Sequence, residues 1–255
     1  GAPRETEGRD ELTPAGRADA GRPIRRADGS PAGPGCQNGG VTRELFLSPA
    51  LEVAPRLLGA TLAVDGEDGR VAIRITEVEA YHGVGTPGPY DAGSHSRDRR
   101  TERNASMFGP PGHAYVYFSY GMHFALNLVC SPEGVASGVL LRAGEVVEGA
   151  EIASARRAAK RGDAGIEPIR PRLLARGPGN LAAALGITRP GHDGLDLFAE
   201  PFVFEAARGP VPGTMSGPRV GVSGEAGGSA FPWRFWIAGD PTVSAYRPGR
   251  NVPGA

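Results

Sequence analysis

The sequence is poor in lysine, cysteine and long apolar runs, and each shortage excludes a kind of chemistry. Lys160 is the only lysine among 28 basic residues, so covalent catalysis through a lysine Schiff base is not expected. The two cysteines, Cys36 and Cys130, cannot form a disulfide framework. Neither has metal-ligand spacing to a second cysteine or a nearby histidine, so we expect no metal and no other cofactor.

Long apolar segments are also missing from the sequence. No run approaches the ~20 apolar residues that cross a bilayer, and the first residues lack the apolar segment of a signal peptide. We therefore expect no membrane association and an intracellular protein: cytoplasmic and nucleoid-associated in a bacterium, or nuclear in a eukaryote.

Net charge is absent too, since 28 basic residues balance 28 acidic ones, and this balance alone argues against a nucleic-acid partner. The charges are nevertheless clustered. Residues 156–176 hold seven basic side chains against two acidic ones, and four arginines lie within residues 97–103. Composition leaves two interpretations open for each cluster, a solvated helix face or a phosphate-binding surface.

Residues 1–40 differ from the rest of the chain. They contain nine glycines and five prolines, no aromatic residue, and six arginines balanced by six acidic residues. Such a segment cannot bury enough apolar surface to offset the entropy lost on ordering. We predict a disordered tail without chemistry over residues 1–40 and a single folded domain over residues 41–255.

Strand patterns dominate the predicted domain. Residues 71–81 alternate with a period of two, which would place Val71, Ile73, Ile75, Glu77 and Glu79 on one face. Residues 113–118 and 122–130 predict a hairpin. Further strands are predicted at 137–143, 195–198, 202–204, 219–222 and 233–238, and helices at 145–161 and 181–185. Because no βαβ rhythm appears, the predicted class is α+β: a mostly antiparallel curved sheet with a protruding β-hairpin and a few packed helices.

Three local patterns are candidates for chemistry. Glu77, Glu79 and Tyr81 end a strand that enters a long loop over residues 82–112, where a rigid element can aim side chains at a substrate. Tyr120 occupies the predicted hairpin tip, and an exposed aromatic side chain there is typical of a contact or a wedge. His95 lies within the loop. Each pattern has a structural alternative: a solvated strand end, ordinary strand packing and a surface histidine.

Several motifs together resemble the alkyladenine (3-methyladenine) DNA glycosylase family. The resemblance spans roughly residues 45–247, and the segment at 115–127 is long and compositionally unusual. The motifs, in chain order, are TEVEAY at 76–81, HSR at 95–97, RN at 103–104, MF at 107–108, YVYFSYGMHFALN at 115–127, VLLRA at 139–143, GPGNL at 177–181, RVGV at 219–222 and WRFW at 233–236.

The resemblance implies a base-excision-repair enzyme that acts on double-stranded DNA. Such an enzyme flips alkylated or deaminated purines out of the duplex and hydrolyses the N-glycosidic bond. Glu79 matches the general base that deprotonates the attacking water, and Arg142 matches the residue that helps to hold that carboxylate. A monomer is expected. The resemblance does not select among 3-methyladenine, 7-methylguanine, hypoxanthine and ethenoadenine.

The remaining matched positions concern the flipped base and the DNA. Tyr81, His95 and Tyr117 match the pocket that stacks on the base, and Asn127 matches a residue that disfavours purines with an amine at C2. Tyr120 matches the side chain that intercalates where the flipped nucleotide stood. The same resemblance places Met122, His123, Arg97 and Arg103 among the contacts to DNA.

Two positions depart from the family pattern. The loop before His95 carries extra Gly and Pro residues over 83–90, which puts the reach of His95 into the pocket in question. His123 stands where the family commonly has an aromatic residue, and this exchange would alter a minor-groove contact.

Three alternatives are weighed against this interpretation. A non-catalytic binder of distorted DNA would not need Glu79 or Arg142, and both are present. A glycosylase with lyase activity would need an amine nucleophile, for which Lys160 is a poor candidate. An unrelated hydrolase could use Glu77 and Glu79 as a carboxylate pair, because alternate residues on one strand face lie ~7 Å apart.

Overall fold

The computed structural model describes residues 42–119, 121–161 and 168–254. The tail predicted over residues 1–40 and the predicted wedge residue Tyr120 lie outside these ranges. Within them, no helix is long and apolar enough to cross a membrane, and no three His, Cys, Asp or Glu side chains are grouped to hold a metal ion.

A nine-stranded antiparallel sheet dominates the described residues, as the predicted α+β class requires. Its main path runs β3-β4-β5-β2-β1-β7, with β6 paired to β5, and with β9 joining β8 to β2. The strands are β1 (Thr61–Gly66), β2 (Gly69–His82), β3 (Ala114–Ser119), β4 (His123–Val129), β5 (Ser137–Glu148), β6 (Ala175–Arg176), β7 (Phe202–Glu205), β8 (Thr214–Gly217) and β9 (Arg234–Ile237). The α-helices are α1 (Ala50–Val53), α2 (Ala150–Arg161), α3 (Pro178–Leu185) and α4 (Arg189–His192).

Strand β2 is the longest strand and lies inside the sheet. On one side it pairs with β5 almost throughout, and on the other it pairs first with β1, up to Arg74, and then with β9, from Glu77 onward. Apolar side chains from β1, β2 and β5 pack with α1 and α3 in the main core, which explains why alternate positions of these strands are Val, Ile or Leu. The strand that carries the acidic pair is therefore held on both edges.

Three element predictions are wrong. Residues 145–148 continue β5 and pair with β2, so that α2 begins only after Gly149, whose φ of +71° suits a glycine. Residues 195–198 form one isolated bridge, between Asp196 and His113, and residues 219–222 form a turn. Gly221 N–H bonds to Arg247 O in another loop, and Leu195 O accepts a single bond from Ala114 N–H at the start of β3, so neither segment forms a strand ladder.

Candidate active site

A β-bulge in β2 decides which way the acidic pair faces. The pairing of β2 with β5 shifts register between Ile75 and Glu77 and again between Glu77 and Val78. Before the bulge Ile73 and Ile75 enter the core, whereas after it Val78 and Ala80 do so. The predicted common face of Ile75 and Glu77 is therefore wrong, because one extra residue reverses the alternation. The bulge turns the two glutamates away from the main core.

Glu79 is fully buried, and its carboxylate accepts three hydrogen bonds. Oε1 accepts the backbone N–H of Val220 at 2.7 Å. Oε2 accepts the hydroxyl of Tyr81 at 2.9 Å and Nη1 of Arg142 at 3.3 Å. Burial and then the charge of Glu79 raise the pKa of Tyr81 well above its usual value, so its hydroxyl stays a donor. These contacts give both carboxylate oxygens a donor and fix the orientation of the group.

Glu77 has a different environment, in which two arginine side chains and one serine hold its carboxylate. Its Oε1 accepts bonds from Arg142 Nε (3.1 Å), Arg234 Nε (2.7 Å) and Ser244 Oγ (2.9 Å), and its Oε2 accepts the Ser244 N–H at 2.7 Å. Burial opposes the charge of Arg142, but Glu79 and Glu77 outweigh it and raise the pKa of that guanidinium. Glu77 thus holds Arg142 in place while Arg142 contacts Glu79.

A cavity of about 820 Å³ opens beside this cluster. Its size falls within the range of pockets that enclose small organic ligands. Glu79 lies directly behind its wall, in hydrogen-bond contact with three residues that line it. The predicted pocket residues come together in this lining, which includes Tyr81, His95, Tyr115, Tyr117, Asn127 and Arg142.

His95 reaches the cavity despite the extra loop residues before it. Its ring meets that of Tyr117 edge to face, with centroids 4.7 Å apart. His95 is exposed as a whole, but partial desolvation at the cavity, helped by the nearby charges of Arg103 and Arg97, lowers its pKa. At neutral pH the imidazole is therefore uncharged.

Two neighbouring strand positions supply the polar groups of the cavity wall. Tyr115 and Asn127 are direct partners on β3 and β4. Asn127 is buried and donates Nδ2 to the Tyr115 carbonyl at 3.1 Å, which leaves its own carbonyl oxygen available. The Tyr115 hydroxyl is buried and has no hydrogen-bond partner among the described residues. No sequence pattern points to this hydroxyl, because Tyr115 alternates like any other strand residue.

Sequence reasoning also missed a buried ion pair behind the cavity. Arg219 and Asp91 are both inaccessible to solvent and form two charge-assisted hydrogen bonds, of 2.7 and 2.6 Å. The Arg219 guanidinium also lies 4.5 Å from the centroid of the Tyr81 ring. The two residues are 128 positions apart, and neither belongs to a charge run, so no local pattern links them.

Known proteins match this chain along most of its length. A model of the methylpurine-DNA glycosylase family matches residues 44–241. The chain belongs to this family. As a member it is a DNA glycosylase, a hydrolase of DNA repair that cleaves N-glycosyl bonds.

Curated relatives of the glycosylase carry the name "Putative 3-methyladenine DNA glycosylase". The protein of Leifsonia xyli is 52% identical over 205 residues, which cover 80% of this chain and 92% of the relative. The Streptomyces avermitilis protein is 51% identical over 212 residues, or 81% and 92% of the two chains. A Mycobacterium tuberculosis protein is 46% identical over 211 residues, or 82% and 95%.

The β3–β4 hairpin of the glycosylase exposes apolar side chains beside the cavity. Met122 is 63% exposed and Phe118 is 44% exposed, and Gly121 lines the cavity mouth. His123 is partly buried, and its ring packs so close to Gly179 that a β-carbon there would lie 2.8 Å from it. Exposed apolar groups at a hairpin end suit contact with a ligand rather than with water.

Arg97 and Arg103 both line the cavity and both support the loop that carries His95. Arg97 bonds to the Ala92 carbonyl at 3.0 Å and to Asp98. Arg103 donates to the Phe118 carbonyl at 3.0 Å and so ties the loop to the hairpin. Both side chains remain exposed, so they can also meet an anion in solution.

The basic run at 156–176 is only partly a free surface. Arg156 pairs with Asp68, and buried Arg157 donates to the backbone carbonyls of Leu173 and Leu174. These two arginines therefore stabilise the fold, so that neither a solvated face nor a phosphate-binding surface describes them. Lys160 is exposed on α2 and is not among the residues that line the cavity.

Proposed function

We propose that the glycosylase extrudes an alkylated or deaminated purine from double-stranded DNA into the cavity, where Glu79 activates a water that hydrolyses the N-glycosidic bond. The curated relatives are named for 3-methyladenine, and we propose this base as a substrate. The observation that carries the proposal is the oriented carboxylate of Glu79 behind an aromatic cavity. Arg142, Tyr81 and the Val220 N–H each bind that carboxylate and line the cavity.

The bond to Val220 leaves a lone pair on Oε1 of Glu79 for a water molecule. In the proposed step the water oxygen bonds to C1′ while the C1′–N bond breaks, and the electron pair of the C1′–N bond leaves with the purine. Glu79 takes the proton of the water. A cationic alkylpurine departs as a neutral base, so the leaving group needs no additional acid at this point.

The aromatic walls account for the choice of base. Tyr81 and Tyr117 present electron-rich faces, which attract an electron-poor or cationic purine. A charged imidazole would repel such a base, and the lowered pKa of His95 keeps that ring neutral. We propose that Asn127 crowds or binds purines that carry an amine at C2 and so disfavours normal guanine.

The DNA-facing part of the proposal concerns the hairpin and the adjacent arginines. Tyr120 would fill the space that the flipped nucleotide leaves, and Met122 and His123 would lie along the groove. Arg97 and Arg103 would contact phosphates. We propose that the enzyme acts as a monomer inside the cell.

The decisive experiment is Glu79→Gln, assayed for base release from duplexes that each carry 3-methyladenine, 7-methylguanine, hypoxanthine or ethenoadenine. Loss of a general base typically lowers the rate by ~10²–10⁴-fold, while binding to the damaged duplex should persist. Glu205→Gln, an exposed glutamate on β7, is the matched control and should retain the wild-type rate. Wild-type release by Glu79→Gln would overturn the assignment.

A further inference from the structure

Arg219 is the largest of the fully buried side chains in the described part of the chain. Taking a guanidinium out of water costs several kcal/mol unless its partners compensate. Nη1 and Nη2 bind the two carboxylate oxygens of Asp91, and each also donates to a backbone carbonyl at 3.0 Å, those of Ala80 and Ala226. The side chain is thus held in one place by four hydrogen bonds.

The partners of Arg219 lie on either side of the proposed catalytic base. Ala80, whose carbonyl it binds, is the residue between Glu79 and Tyr81 on β2. Its guanidinium lies 4.5 Å from the centroid of the Tyr81 ring. The next residue, Val220, donates its N–H to Glu79 at 2.7 Å. Movement of Arg219 would therefore move both the backbone donor to the base and the ring that lines the cavity.

Asp91 extends the same set of contacts into the loop that carries His95. Besides Arg219, its carboxylate accepts the N–H of His82 at 3.2 Å and the N–H of Gly93 at 2.9 Å. The first contact joins the loop to the end of β2, and the second fixes the turn two residues before His95. Asp91 thus connects the strand of the base to the loop of the pocket.

We infer that Arg219 and Asp91 form a positioning pair for base release, one that holds Tyr81, the Val220 N–H and the loop of His95 in a single geometry. Neither residue is a catalytic residue, because neither touches the reacting atoms. The pair acts through the residues that do. The inference rests on the proposed function, since it assigns the pair to the release step.

The test compares Arg219→Lys and Asp91→Asn with wild type in single-turnover base release from a hypoxanthine duplex. Arg219→Lys keeps the charge but loses the planar two-donor geometry. We expect release to fall about 100-fold, as misplacement of reacting groups by ~1 Å typically costs. Affinity for a duplex with an abasic site should change less than about 3-fold, because abasic DNA leaves the base pocket empty.

The control is Arg74→Met, which removes an ion-paired arginine from β2, the strand of Glu79, at a position away from the cavity. It should lower the melting temperature and leave the release rate unchanged. Arg219→Lys is also introduced into Tyr81→Leu. If Arg219 acts through Tyr81, Arg219→Lys should lower release in the Tyr81→Leu background by much less than 100-fold. A purely structural effect would lower release by the same factor in both backgrounds.

The inference is overturned if folded Arg219→Lys and Asp91→Asn release the base at the wild-type rate, or if the loss caused by Arg219→Lys is fully retained in the Tyr81→Leu background. Circular dichroism and melting curves identify the folded samples. Glu79→Gln, run in parallel, separates the two hypotheses. Base release by Glu79→Gln would rule out the proposed function, whereas an inactive Glu79→Gln beside a fully active Arg219→Lys would rule out only the positioning pair.

Discussion

His82 combines burial with missing partners at the end of β2. It is 4% exposed, and neither ring nitrogen has a hydrogen-bond partner within the described ranges. Burial lowers the pKa of His82 to about 4, although Asp91 opposes the shift. In the folded protein His82 is therefore neutral, and the same histidine binds a proton more readily in the unfolded chain.

The consequence is a loss of stability in acid. Between pH 6.5 and about 4 the unfolded state gains a proton that folded His82 does not, so stability present above pH 6.5 is lost as the pH falls. The loss should reach up to about 3 kcal/mol at the low end. Urea unfolding at a series of pH values measures it, and His82→Phe, which keeps the ring beside Trp233, should show a shallower dependence. An identical dependence in both proteins would contradict the prediction.

Tyr115 offers a second test, because its buried hydroxyl has no partner among the described residues. A buried polar group without a hydrogen bond typically costs ~1–3 kcal/mol. Tyr115→Phe should therefore raise the free energy of unfolding by about 1 kcal/mol. Thermal and urea unfolding measure the change, and Tyr246→Phe, at an exposed tyrosine, should have no effect. A destabilised Tyr115→Phe would mean that the hydroxyl is bonded in solution.

Sequence reasoning named residues that lie together in the structure, and physical reasons explain what it missed. Glu79, Tyr81, Tyr117 and Asn127 lie in strands with clear patterns, and the structure brings them to one cavity and the cluster behind it. Arg219 and Asp91 carry no such pattern, since a buried ion pair between distant loops depends on tertiary contacts alone. The roles assigned to all these residues stay predictions.

At the scale of elements, the bulge in β2 is the feature on which the site depends. If β2 alternated regularly through all its residues, without a bulge, Glu77 and Glu79 would follow Ile73 and Ile75 into the core, where Val78 and Ala80 now pack. A sequence pattern of period two cannot reveal such a reversal, because the bulge is fixed by pairing with β5 and β9. The hairpin of β3 and β4, by contrast, was predicted from local alternation and a glycine turn.

Deletion of Thr76 should remove the bulge and leave Ile73, Ile75, Val78 and Ala80 on one face in regular alternation, so that both glutamates still point away from the core. We therefore expect a cooperatively folded protein by circular dichroism, with a lower melting temperature because the hydrogen bond between Thr76 and Thr242 is lost. Deletion of Gly88, in the exposed loop at 83–90, is the control and should keep the wild-type melting temperature. An unfolded Thr76 deletion would show that the fold needs the bulge itself and not only the facing of the side chains.

At the scale of the whole molecule, the described residues that line the cavity lie between Tyr81 and Ser223. The composition of residues 1–40 predicts a disordered tail without chemistry. Removal of residues 1–40 should therefore leave single-turnover base release within about 2-fold of the full chain, with an unchanged melting temperature. A large loss of release would show that the tail takes part in DNA binding or in the reaction.

The central place of β2 has a consequence for the motions of the enzyme. Its amides pair with β5 on one side and with β1 and then β9 on the other, so they can exchange with deuterium only when the sheet comes apart. Glu79 and Tyr81 should therefore be among the slowest-exchanging of the described residues, whereas the hairpin and the loop of His95 should open locally. The proposed catalytic base thus lies in the part of the fold that should open last, and activity on heating should persist until the whole sheet unfolds.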